Sequence, residues 1–123
     1  MKSLKAWLLV IRPYFLFMTI VYVFLGASLV IYEGYHVKFI SLVLTLIGAL
    51  MAHISVNVLN DYFDYKYGID TETPSTSVSG GSGILPSGNL NARHVCYFGL
   101  TCLLTTVLIG IFFIFLTLPY FVF

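Results

Sequence analysis

The chain has 123 residues, 59% of them hydrophobic and only 9% charged, with a formal net charge of +1 and a mean hydropathy of +0.98. That composition excludes an ordinary soluble globular domain and places the chain among membrane proteins. So small a net charge, carried by scattered basic residues, also excludes a nucleic-acid-binding footprint.

The N-terminal piece "MKSLKAWLLVIRP" reads as a short amphipathic segment with Trp7 at the headgroup level, where aromatic rings are favoured. It leads into a first predicted span over 14–32, which contains no Asp, Glu, Lys or Arg. Crossing a hydrocarbon core of about 30 Å takes about 20 apolar residues in a helix, so the run is long enough. A cleaved signal peptide does not fit, because Arg12-Pro13 precedes an apolar stretch longer than a signal core and no small-residue cleavage site follows. "EGYHVK", 33–38, is the tight outer turn. The second span, 39–66, is uncharged as far as Leu59 and then runs on into "NDYFDYKYG", so its last turns leave the lipid carrying carboxylates. Gly68 suits a helix C-terminal cap. Residues 67–93 have loop composition, rich in Gly, Ser, Thr and Pro, and 94–117 form the third predicted span. The last stretch, 118–123, has no flanking charge or polar tail, and the expectation from it is a truncated end.

Lys2, Lys5 and Arg12 precede the first span, Lys66 and Arg93 lie between the second and third, and Lys38 alone lies in the first connection. The positive-inside rule then puts the N-terminus and the Asp-rich loop in the cytoplasm. Cys96 and Cys102 are six apart on one predicted helix, too few for a metal site and badly placed for a disulfide with each other; both read as apolar packing.

At about 100° per residue, His53, Asn57, Asn60, Asp61 and Asp64 form one polar stripe that deepens into the membrane. Polar groups within a span are costly unless they face a bundle interior or a wet cavity, so the stripe is expected to point inward. His53 alone reads as a hydrogen-bonded packing histidine. Carboxylates at a helix C-terminus meet the negative end of the dipole and also repel one another, so a cation must offset them, and Lys66 alone is insufficient. Carboxylates with Asn carbonyls are hard oxygen donors, which select Mg²⁺ or Ca²⁺, and Mg²⁺ completes its shell with water and phosphate. The ligand expected here is a metal-bound phosphate or pyrophosphate.

Two other motifs fail. A calcium loop starting at Asp61 would put Phe63 and Tyr65 at ligand positions, and the Gly83 to Gly88 spacing of a Walker loop is followed by Asn89 and Leu90 instead of Lys and Ser or Thr. "SGGSG", 79–83, is open to two readings, a flap that closes on phosphate or an ordinary linker. Arg12 is open to two as well, a membrane-edge anchor or a group reaching the pyrophosphate.

"NDYFDYKYGID", 60–70, resembles the first aspartate-rich motif of the UbiA-type membrane prenyltransferases, Asn-Asp-x-x-Asp. With Gly68 and Asp70 at its end, and with "IRPYFL" at 11–16 and "GGSGILPSG" at 80–88, it looks like the branch that prenylates dihydroxynaphthoate for menaquinone. The resemblance covers nearly the whole chain. It implies an all-helical fold, as spanning lipid demands, of about nine transmembrane helices in the cell (inner) membrane, of which these three are the N-terminal third. It also implies an isoprenyl diphosphate donor, an aromatic acceptor and Mg²⁺. Asn60, Asp61 and Asp64 would be the metal ligands, Asp61 and Asp64 would carry the catalysis, and Asn57, Lys66, Arg12 and Asp70 would contact substrate. The family's second aspartate motif is not in this sequence, so the chain alone is expected to be an inactive N-terminal piece whose C-terminal half is missing. The rival expectation is a non-enzymatic three-span scaffold or transporter piece that binds a cation through its acidic loop and associates through Gly48 and Ala52.

Overall fold

The computed structural model describes residues 2–69 and 82–117, and among these it contains four helices and no strand. They are α1 (Lys2–Ile11), α2 (Pro13–Tyr32), α3 (Phe39–Lys66) and α4 (Ala92–Thr117). Asp70 and residues 79–81 of the glycine-rich stretch lie outside the described residues.

Three of the helices, α2, α3 and α4, are long and apolar enough to cross a membrane. The all-helical membrane fold expected from composition is the fold observed. Large apolar side chains such as Phe17, Leu25, Leu104 and Phe115 are exposed around the outside, which acyl chains rather than water would solvate. The helix α2 contributes no buried residue at all.

The helix α3 is the centre of the packing, with α4 antiparallel along it, α2 on another side and α1 against its Asp-bearing end. Small residues let the two backbones of α3 and α4 approach closely. A Cβ at Gly99 would stand 2.7 Å from Leu59 Cδ2 and 2.8 Å from Leu59 Cγ, and one at Gly48 would stand 3.2 Å from Ile109 Cγ2. Thr106 Oγ1 donates across the same seam to the Gly48 carbonyl at 3.2 Å. Gly48 is therefore spent inside the chain and is not a free face for association. Gly99→Ala should overpack this crossing and cost about 1–3 kcal/mol, measured as earlier unfolding in a denaturing-detergent titration. Gly110→Ala, with nothing within 4 Å of its new Cβ, is the control expected to show no loss.

A small core closes the Asp-bearing end. Ala6 and Val10 from α1, Val58 from α3, Val95 from α4, and Ile84 and Leu85 from the connection are buried together. Trp7 packs edge-on against Phe98, with centroids 5.1 Å apart. The described part of the connection is thus a packed element and not a loose linker. Its turns are closed by Ser87 N–H to Gly83 C=O at 3.2 Å and Gly88 N–H to Leu85 C=O at 3.0 Å. Gly83 and Gly88 adopt φ of 68° and 70°, which glycine takes without steric penalty. Composition concealed this, because a single apolar pair, Ile84-Leu85, sets no period. Cys102 is buried and Cys96 half-buried, both unbonded thiols on α4.

Candidate functional site

Pro13 breaks the chain between α1 and α2, and the residue before it takes the strain. Arg12 lies at φ 56°, ψ 64°, in the left-handed region, where a non-glycine residue costs about 1–3 kcal/mol. The elbow also alters the hydrogen bonding of the first turn of α2. Phe15 N–H donates to the Arg12 carbonyl at 3.0 Å, one residue short of the α-helical register, and the Ile11 carbonyl instead accepts from Asn57 Nδ2 on α3 at 3.0 Å.

Asp61, one turn further along α3, completes the clasp. Its Oδ1 accepts from Arg12 Nη2 at 2.8 Å and from the Ser82 backbone N–H at 3.3 Å. The carboxylate is 1% exposed and the guanidinium 17%. Its other oxygen, Oδ2, is buried with no hydrogen-bond partner. The cationic compensation that α3 requires at its negative end is therefore supplied at Asp61 by Arg12. That need, taken alone, no longer calls for a metal at this carboxylate. Arg12 is accordingly more than an anchor at the membrane edge.

Two turns deeper, Thr19 Oγ1 and His53 Nδ1 share a hydrogen bond of 2.6 Å. His53, Asn57 and Asp61 are spaced i, i+4, i+8, so they form a single row that sews α3 to α2 and to the elbow. Replacing Asn57 by alanine strands the Ile11 carbonyl and should cost about 1–3 kcal/mol, read as a lowered thermal midpoint in detergent. The matching replacement at exposed Asn89 should have little effect.

The remaining motif residues occupy a neighbouring row. Asn60 Nδ2 donates to Asp64 Oδ2 at 2.8 Å on the exposed flank of α3. The face that sequence periodicity draws as one stripe is thus two rows, one locked to the elbow and one at the rim. Lys66 is exposed, with Nζ 5.9 Å from the ring centroids of both Tyr62 and Tyr67, so aromatic faces hold its charge at the helix end. The helix stops there, with Gly68 at φ 76° and its N–H on the Tyr65 carbonyl. Residue type carries no sign of the Ser82 amide, because a backbone donor leaves no such signature; the nearest available signal is the glycine beside it.

Among the described residues no group of three His, Cys, Asp or Glu side chains gathers around a common point. Asn60, Asp61 and Asp64 offer hard oxygen donors within two turns of α3. One of the Asp61 oxygens is buried and unpartnered. This donor chemistry fits Mg²⁺, which takes one or two carboxylates and keeps several waters. A cavity of about 690 Å³ lies elsewhere, in a groove between α2 and α3 lined by Tyr22, Gly26, His36, Lys38 and Ala49 among others. It begins about 18 Å along α3 from Asp61, at 1.5 Å per residue from Ala49. Volume is therefore no guide to the chemistry here.

No curated protein and no solved structure matches the chain. The model of the UbiA prenyltransferase family matches residues 16–123, which take in α3, α4 and all but the first turn of α2, and leave α1 and Arg12 outside. With that much of its length and its aspartate-bearing helix inside the match, the chain belongs to the UbiA prenyltransferase family.

Proposed function

We propose that the chain forms the diphosphate-gripping part of an enzyme that moves an isoprenyl group from an isoprenyl diphosphate to an aromatic acceptor, a dihydroxynaphthoate-like quinone precursor. The single observation that carries the proposal is the buried, half-satisfied carboxylate of Asp61 beside the exposed Asn60–Asp64 pair, at the end of a membrane-spanning helix. A donor with a charged head and an apolar tail needs such a boundary. Its head meets oxygen ligands and water while its tail lies along apolar helix surface.

In this reading Asn60, Asp61 and Asp64 hold Mg²⁺. When bound, the metal neutralises charge that builds on the departing diphosphate. Asp64 and Asn60 orient one another through their mutual hydrogen bond, which fixes the direction of their remaining oxygens. Lys66, poised between Tyr62 and Tyr67, adds positive charge for the phosphate oxygens. Asp70 assists from beyond the described residues, and Asn57 and Arg12 shape the inner wall. The basic residues at 2, 5, 12, 66 and 93 support an N-terminus and Asp-rich loop on the cytoplasmic side of the inner membrane. The second aspartate motif that the resemblance implies is not in this sequence, so the chain is expected to bind donor without turnover until a second aspartate-bearing half is supplied.

The test is isoprenyl transfer to a dihydroxynaphthoate acceptor by protein completed with that half. Transfer should require Mg²⁺ and disappear on chelation with EDTA. Undiminished transfer in EDTA would rule the reading out.

A further inference from the structure

We propose that Arg12 and a divalent cation are alternative partners of the Asp61 carboxylate, so that filling the site releases the elbow between α1 and α2. This inference concerns regulation of the site described above and rests on reading the Asp motif as a cation site.

The arrangement at Asp61 is lopsided. Oδ1 receives both Arg12 Nη2 and the Ser82 amide, whereas Oδ2 is buried and receives nothing. A buried acceptor without a donor is unfavourable, and native structures keep such groups mainly where strain or function requires them. Asp61 is 1% exposed, so a cation that retains part of its water shell reaches this carboxylate only after the side chain or its cover moves. A dication placed there would also lie close to the guanidinium, and at such separations like charges repel strongly in a partly buried setting. Full engagement of Asp61 by both at once is therefore disfavoured.

The elbow is built to respond. Arg12 holds a left-handed backbone conformation ahead of a proline, a state that persists only while its surroundings enforce it. The enforcing contacts include the Asp61 pair and the Asn57 bond to the Ile11 carbonyl. Losing the first leaves the strain less opposed. On the far side of the elbow, α1 carries Ala6, Trp7 and Val10 into the same small core that buries Ile84 and Leu85. Ser82, whose amide also sits on Asp61, is two residues from Ile84, so the connection and α1 are tied to one carboxylate.

The experiment uses the chain in lipid nanodiscs. Trp7 is its single tryptophan, so fluorescence excited beyond the tyrosine absorption reports α1. Mg²⁺ should shift the Trp7 emission and speed amide hydrogen exchange in α1 of the unaltered protein. Mn²⁺, followed by electron paramagnetic resonance, should bind Arg12→Gln about tenfold more tightly, because a competing positive charge is gone. Arg12→Lys, which keeps the charge, should return affinity toward that of the unaltered protein. A purely structural Arg12 would instead give weaker or unchanged Mn²⁺ binding in Arg12→Gln. If Arg12→Gln fails to fold, the hydrogen-exchange arm on the unaltered protein still decides, since unchanged or slower exchange in α1 with Mg²⁺ overturns the proposal. Mn²⁺ binding that is absent, or equal in Asp64→Ala, would remove the cation site and this exchange together. Mn²⁺ binding that depends on Asp64 but leaves α1 and Arg12→Gln unaffected would remove the exchange alone.

Discussion

Arg12→Ala is expected to destabilise the protein by about 3–5 kcal/mol, the loss typical when one partner of a buried ion pair is removed. The size follows from burial. Asp61 is 1% exposed, and its only described donors are Arg12 and the Ser82 amide. Without the guanidinium the carboxylate keeps a 3.3 Å bond from Ser82 and little else, at the negative end of α3. The elbow loses an enforcing contact at the same time. An equilibrium unfolding titration followed through Trp7 measures this, and the double variant Arg12→Ala with Asp61→Ala should recover part of the loss because no charge is then stranded. A single variant within about 0.5 kcal/mol of the parent would mean that the pair contributes nothing.

Asp64→Ala should separate activity from stability. Asp64 is only half-buried, and its described hydrogen bond is to the exposed Asn60, so the fold should be nearly unaffected. Isoprenyl transfer by the completed protein should nevertheless fall by at least about 10²–10³, the loss usual when one group stabilising transition-state charge is removed. Asp61→Ala should lose activity to a similar extent but also lower stability, since it leaves Arg12 without its carboxylate. The distinction between the two variants, equal in kcat loss and unequal in unfolding midpoint, is what the two rows on α3 require. If Asp64→Ala retained full activity, the rim pair would not be part of the site.

Much of the architecture was legible in residue type alone. Uncharged apolar runs set the three long helices, because a backbone in lipid must satisfy its own hydrogen bonds and a helix does so locally. Gly68 was legible as a stop for the same local reason, and its left-handed φ agrees. Periodicity placed His53, Asn57 and Asp61 on one side of α3, yet it gave no hint that Asn60 and Asp64 stand on a separate flank, since an angle around one helix is silent about what packs against it. Arg12 shows the limit most plainly. Its role depends on a left-handed elbow forced by Pro13 and on a carboxylate 49 positions away, and no spacing rule connects the two. The connection reads as loop, and its described part is built of turns; what composition does not carry is that Ile84 and Leu85 become core when α1 folds back over them.

The most direct test of the central claim is equilibrium binding of a non-hydrolysable isoprenyl thiodiphosphate to the protein in nanodiscs, with Mg²⁺ and with EDTA. The expected result is saturable binding in Mg²⁺ that is lost in EDTA and lost in Asp64→Ala. Equal binding in Mg²⁺ and EDTA, or full binding by Asp64→Ala, would show that the aspartates at the end of α3 do not grip the diphosphate through a metal.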